Sequence, residues 1–336
     1  MNSHSLFSRA GRNAGFAVGF LSLLVSVLPA RAQTPAEISD LRNSVGNRIE
    51  AATILGGDFG MAGASYNKGS DGNLTLSKFG GWGDIGDPQQ LGDLPIAWQP
   101  QLQGEMGYLS AKRDFTAEDT FNGGSLDGAQ TKYHDFSIQF GGGPRLWFND
   151  NFSIAPTFMG MYGHTENTLY TNNNAVAAAN QALAKQLGLV DYSVDTWTIR
   201  PAVDFQYVYT WRRTIFTLNS DPVYFHTESF SASNPNVNVN GNSETWMNKI
   251  DVDVPLGKEL WGHELRTGGY FSRTEFYGDI KDGLGVNHLY EIHGRVVLDY
   301  LNQLWKVQWI GIGYSYFWGN GGFTGNAIGL DVAFQF

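Results

Sequence analysis

Residues 197–212 alternate in polarity without a break. Trp197, Ile199, Pro201, Val203, Phe205, Tyr207, Tyr209 and Trp211 fall on one side of an extended chain. Thr198, Arg200, Ala202, Asp204, Gln206, Val208, Thr210 and Arg212 fall on the other. Strand side chains point to opposite faces in turn, so one surface is apolar and aromatic and the other polar. Strands of globular proteins run to about 5–6 residues, and this segment is far longer. The pattern recurs. Residues 290–300 set Tyr290, Ile292, Val296, Leu298 and Tyr300 against Glu291, His293, Arg295 and Asp299. Residues 246–254 set Trp246, Ile250, Val252 and Val254 against Lys249, Asp251 and Asp253, and residues 136–148 set Phe136, Ile138, Phe140, Leu146 and Phe148 against Ser137, Gln139, Arg145 and Trp147. The core of a soluble sandwich cannot hold so many charges unpaired, whereas the lumen of a membrane barrel can.

The pattern predicts an all-β fold: a transmembrane, antiparallel outer-membrane β-barrel of about twelve strands. The spans are 56–68, 72–82, 95–112, 131–148, 151–168, 190–211, 213–230, 243–254, 261–278, 287–302, 305–318 and 323–336. The first two are glycine-rich and weakly patterned, which leaves ten strands as the alternative count. Asn149-Asp150, Arg212-Arg213 and Asn302-Gln303-Leu304 read as tight turns, and 113–130, 169–189 and 231–242 as long polar loops. Such alternation fits short periplasmic turns and long external loops; the rather long inner connection 83–94 departs from it. Pro144, Pro156 and Pro201 fall inside strands, where a lost donor suggests bulges.

Two helices are expected. Thr34-Pro35-Ala36-Glu37 is a capping box with Pro at the first helical position, followed at helical spacing by Ile38, Leu41, Val45, Ile49 and Ala52. This short N-terminal α-helix belongs to a segment spanning 33–55. A helix over 35–52 would be about 27 Å long, enough to plug a barrel lumen; the alternative is a helix lying beneath the barrel. A plug predicts that deleting residues 34–52 raises conductance. Asn174 to Gly188 reads as an N-cap, a helix and a terminal glycine, with Val176, Leu183 and Leu187 on one stripe.

Composition changes the picture at the N-terminus. Arg9 and Arg12 precede an apolar run over 15–28, too short for a spanning helix, and Ala30-Arg31-Ala32 fits a cleavage site. Residues 1–32 therefore read as a signal peptide, Gln33 as the mature start and 56–336 as the barrel. The signal segment carries three arginines and no acid, so its removal takes the net charge from −10 to −13. That acidity argues against nucleic acid, which requires basic patches. With no cysteine, disulfides, zinc–thiolate sites and thiol chemistry are excluded.

The last strand carries the sharpest family signal. Ile328, Leu330, Val332, Phe334 and Phe336 alternate with Gly329, Asp331, Ala333 and Gln335. A terminal Phe behind alternating apolar residues resembles the assembly signal of outer-membrane barrels. The resemblance implies recognition by the barrel-assembly machinery and contact with outer-membrane lipid and lipopolysaccharide. A helix, about twelve strands and a terminal Phe resemble the autotransporter translocator domain. Because only one helix is expected between Gln33 and the strands, the chain looks like the solitary autotransporter-like barrel family, a translocator without a passenger. The resemblance implies a fold and a location but no catalytic motif.

The lumen face is the candidate site. Its predicted charges are Glu105, Arg145, Arg200, Asp204, Lys249, Asp251, Asp253, Glu264, Arg266, Glu291, His293, Arg295, Asp299 and Asp331. Mixed signs suggest a self-paired network around a plug; a selectivity ring is the functional alternative. A hydrolase would need acids and a histidine at one water molecule. Asp251/Asp253 and Glu291/His293 share a face but are expected at different heights. His134, His164, His226, His263 and His288 lack a serine and carboxyl partner at strand spacing. Gly141-Gly142-Gly143 is no phosphate loop, since no helix follows; it is expected to relieve crowding in the lumen. Asp114, Glu118, Asp119 and Asp127 read as a solvated acidic loop rather than a cation site. The sequence thus points to a structural or passive pore-type barrel, not an enzyme, with no cofactor or metal. A surface adhesin or receptor acting through external loops is the main alternative, an outer-membrane hydrolase a weaker one. Oligomeric state stays open.

Overall fold

The computed structural model describes residues 61–67, 73–115, 120–121, 124–125, 127–172, 174–188, 190–299 and 307–334. The expected signal peptide, the expected N-terminal helix, the start of the expected first strand, the expected 302–304 turn and Phe336 lie outside the described residues. Twelve long strands form the wall: β1 Met61–Asn67, β2 Asn73–Asp84, β3 Ala97–Asp114, β4 Gln130–Trp147, β5 Phe152–Tyr170, β6 Tyr192–Trp211, β7 Thr214–Ala232, β8 Asn240–Leu260, β9 His263–Gly278, β10 His288–Asp299, β11 Val307–Gly319 and β12 Thr324–Phe334. Each pairs antiparallel with its neighbours in sequence, and β1 pairs with β12 through Met61 opposite Leu330 to Asn67 opposite Thr324. The ring is therefore closed, which removes the exposed edges that an open sheet would present.

Pro144, Pro156 and Pro201 do not make bulges. Gly142 pairs with Phe158 and Leu146 with Ile154 in one unbroken register, and only the rungs around Pro144 and Pro156 are missing. Gly141 and Gly143 serve that passage, though not by relieving the lumen. A Cβ on Gly141 would stand 2.2 Å from the Phe158 carbonyl oxygen, and one on Gly143 1.9 Å from that of Pro156. The crowding is with the backbone of β5. Bulges occur elsewhere. One between Pro255 and Lys258 lets β8 run on to Leu260, six residues beyond the predicted end at 254. Pro255 and Gly257 read as breakers in sequence, but Gly257 takes a positive φ of 63° and turns the break into a bulge.

The outward face carries aromatic residues at both ends. Tyr108, Tyr162, Trp197, Tyr224 and Trp246 ring one end, and Phe148, Tyr207, Tyr209 and Trp211 the other. These are the interfacial girdles of a membrane barrel. At the first girdle, the hydroxyls of Tyr162 and Tyr224 donate to Asp195 (2.7 Å) and Asn242 (2.5 Å) on neighbouring strands.

The two ends differ. At one, residues 212–213 and 261–262 make two-residue turns, and residues 148–151 a short one. The long connection 85–96 is fastened there by a short strand, Gln89–Gln90, paired with the start of β3. At the other end lie a small hairpin (Thr120–Phe121 with Gly124–Ser125), helix α1 (Ala175–Gln186), a single turn at Pro235–Val237 and helix α2 (Asp279–Leu284). Longer loops face outward from the cell, which assigns this end to the exterior.

Helix α1 starts where the sequence predicted, with Asn174 accepting from Ala177 N–H at 2.8 Å. Its stripe is different. Ala177 and Ala184 are buried, while Val176 and Leu183 are 42% and 40% exposed. Small side chains face inward because the helix lies close over the mouth of the barrel. Asn234 Nδ2 donates to the Lys185 and Gln186 carbonyls (2.7 and 3.1 Å), and Asn174 Nδ2 to those of Ser125 and Asp127 (3.0 and 2.6 Å). Both helix ends are thus tied to neighbouring loops.

Candidate functional site

The registers place one parity of each strand inside the barrel. In the outer half these inward residues are largely apolar. Tyr66, Leu76, Leu109, Tyr133, Phe276 and Phe317 meet Phe115, Val190, Val237, Ile280, Leu284 and Phe323 from the loops in a single buried cluster. Tyr66 lies 5.4 Å, centroid to centroid, from both Phe317 and Phe323. External loops and strand tops together close the outer mouth. Sequence patterning missed this closure because it took the whole inward face as polar.

Below the cap the lumen becomes polar, then accessible. On β6, Tyr192, Val194, Thr196 and Thr198 are buried, the inward positions from 200 to 208 are half-buried, and Thr210 is exposed. β7 and β8 repeat the gradient: Val223, Phe225 and Thr227 are buried against half-buried Ile215, Thr217 and Asn219, and Ser243 and Thr245 against half-buried Asp251 and Asp253. The interior is a cup with its opening toward the turns.

All fourteen predicted charges stand at inward register positions. Arg145, 2% exposed, is the largest fully buried side chain among the described residues. It lies 3.4 Å from Asp84 and 3.0 Å from Asp204, donates to Ser153 Oγ (3.1 Å) and Gln206 Oε1 (3.0 Å), and faces the Trp82 ring at 5.6 Å. Arg266 holds Asp253 at 2.9 Å and Glu264 at 3.5 Å, and Arg213 reaches Glu264 from the 212–213 turn. Arg295 grips both oxygens of Asp251 at 2.8 Å. Arg200 lies over Phe225 (5.7 Å), with Glu105 and Asp221 acting on its charge, and Lys249 over Tyr270 (5.4 Å). Asp299 sits opposite Glu264 at the rim.

Six inward register positions with a charge escaped the sequence reading: Lys78, Asp84, Arg113, Asp135, Asp221 and Glu259. Lys78 pairs with Glu105 at 3.0 Å. The alternation of β2 is blurred by glycine, and Asp135 and Asp221 lie where only the closed register reveals the facing.

One histidine outside the set of His134, His164, His226, His263 and His288 meets a serine and carboxylates. His293 Nδ1 lies 2.9 Å from Ser315 Oγ, and Nε2 3.3 Å from Asp331. Ser315 Oγ and Tyr270 Oη both donate to Glu291 Oε1, at 2.6 and 2.7 Å, and Tyr270 stacks on the imidazole at 4.5 Å. The partners lie on β9, β10, β11 and β12, so no spacing along one strand could show them. Asp251 and Asp253 are engaged with arginines and do not join this cluster. Ser315 is 0% exposed. Among the described residues no group of three or more His, Asp or Glu is placed to hold a metal ion.

The profile of the solitary outer membrane autotransporter β-barrel domain family matches residues 90–326. The chain belongs to that family. Solved structures agree with this solitary autotransporter barrel at the level of fold. The transport unit of the autotransporter AIDA-I from Escherichia coli has a TM-score of 0.55 at 11% identity, covering 88% of this chain and 99% of that one. The translocator domain of NalP from Neisseria meningitidis gives 0.53 at 11%, covering 87% and 94%. No curated protein matches the sequence. Family and fold place this autotransporter-type barrel in the bacterial outer membrane.

Proposed function

We propose that this solitary autotransporter barrel is a structural barrel with an occluded lumen, a passive pore only when its outer cap is displaced. The apolar cluster across the outer mouth carries this reading, because a dry plug of Phe, Tyr and Leu side chains admits neither water nor ions. Residues 33–55 are proposed to fill the lumen directly beneath it, leaving the half toward the turns open to water. An eight-strand barrel is narrow enough for side chains to fill; a twelve-strand one is wider, yet Asp135, Ser137, Gln139 and Thr198 are almost inaccessible. The cap forms a second barrier. Planar-bilayer conductance tests the arrangement: the full chain should be nearly silent, and deleting residues 34–52 alone should leave it so. Deleting them together with residues 175–186 should open large channels. A full chain with steady open-channel current would overturn the proposal.

We also read the barrel as non-catalytic. The Ser315–His293–Asp331 row lies beneath the cap, and the Ser315 proton is directed to Glu291 rather than to the histidine. Measurable hydrolysis of esters or peptides, lost in His293→Ala, would refute this. A receptor role draws support from the exposed apolar face of α1, Val176 and Leu183 above all; it predicts a binding loss in Val176→Asp/Leu183→Asp with conductance unchanged. The terminal alternation ending at Phe334 and Phe336 is assigned to assembly, with the barrel-assembly machinery as partner and lipopolysaccharide around the outer girdle. Deleting Phe336 should reduce the heat-modifiable form in outer membranes.

A further inference from the structure

The lumen charges do not balance. Counting inward register positions of the described strands, the cations are Lys78, Arg113, Arg145, Arg200, Lys249, Arg266 and Arg295. Against these seven stand twelve carboxylates: the eight predicted from sequence, together with Asp84, Asp135, Asp221 and Glu259. Four of the seven cations are bound to those carboxylates at 2.8–3.4 Å. What the pairing leaves is negative. Segment 33–60 would not cancel it, since its two arginines (Arg42 and Arg48) are outnumbered by four acids (Glu37, Asp40, Glu50 and Asp58).

A second observation points the same way. Glu105, whose side chain is 8% exposed, gives Oε2 to Lys78, while its Oε1 has no hydrogen-bond partner among the described residues. Asp253 Oδ1, nearer the opening, is likewise without one. A buried carboxylate oxygen left without a donor is costly, and a cation or a cationic N–H entering the cup would satisfy it. The cup also has one closed end and low-dielectric walls, a shape that concentrates the field of its lining.

We propose that the periplasm-facing half of the lumen is a cation-selective vestibule, drawing small inorganic cations and organic ammonium or polyamine groups from the periplasm and excluding anions. The inference rests on the orientation that puts the turns in the periplasm, and does not require current to cross the barrel. Glu105 forms its floor, with Asp204, Asp253 and Glu264 nearer the rim.

Because the chain has no cysteine, Val208→Cys places a single thiol on the inward face of the open half. Its modification rates with a trimethylammonium and a sulfonate methanethiosulfonate reagent are measured in lipid vesicles and again in the urea-unfolded chain. The folded-to-unfolded change in the cation-to-anion rate ratio should be about tenfold or more, the low end of electrostatic focusing. It should collapse in 1 M salt, where the screening length is about 3 Å. Thr210→Cys, one step nearer the opening, repeats the measurement if Val208→Cys assembles poorly. A ratio equal to the unfolded value, one favouring the anion, or no reaction with either reagent would overturn the inference. Steady current through the full chain together with a cation-favouring ratio would sink the occluded-barrel reading and leave this one standing.

Discussion

Along β6 the inward residues begin with Tyr192 and Val194, packed dry beneath the external loops, and end with Thr210 in contact with water. The two halves of the lumen thus share the same strands and the same two-residue period, but are closed to different degrees. In the outer half, side chains from loops and strands interlock as a small apolar core, and a polar group buried there must find a partner within the wall. In the inner half, arginines and carboxylates face a space that water reaches. Strand alternation decides only which side chains point inward. What that interior is depends on what the loops bring to it.

The largest expected effect lies in the inner half. Arg145→Ala would leave Asp84 and Asp204 facing each other without their shared cation. Removing one partner of a buried ion network costs about 3–5 kcal/mol, measurable as reversible unfolding from lipid vesicles. Were the loss below 1 kcal/mol, the inner half would be far wetter than its side-chain exposures imply.

Much of the fold was legible in the sequence for a physical reason. A wall between lipid and lumen imposes opposite polarity on adjacent residues, so β6 and β10 declare themselves. The same constraint blurs where glycine replaces the lipid-facing residue, as along β2 at Gly81 and Gly83, and there Lys78 and Asp84 were missed. The breakers Pro255 and Gly257 hid the end of β8, because a bulge is a property of two strands. The contact of His293 with Ser315 and Asp331 joins three strands, and such a meeting follows from register rather than from motif. The apolar cap escaped notice because its residues come from five separate loops.

A smaller effect separates wall from lumen. Val203→Arg puts a charge into the apolar band and should cost roughly 2–4 kcal/mol at mid-bilayer depth. Ala202→Arg faces the acidic interior and should cost clearly less. Equal losses in vesicle refolding would mean that the two faces are misassigned.

The smallest effect concerns the cap. Asn234→Ala removes two donors from the carbonyl end of α1 and should cost about 1 kcal/mol. Since both bonds are local, hydrogen exchange should quicken in residues 175–188 while the wall strands keep their protection. Faster exchange throughout the barrel would show that the cap is part of the fold's cooperative unit rather than a lid upon it.

The most direct test compares two threonines on one strand face. Thr196 is 0% exposed beneath the cap, and Thr210 is exposed at the opening. With single cysteines at each position, an impermeant thiol reagent should label neither on intact cells. Once the periplasm is opened, Thr210→Cys should react within minutes and Thr196→Cys only after denaturation. Labelling of Thr196→Cys on whole cells, or equal rates at the two sites from the periplasm, would contradict a lumen sealed outside and open within.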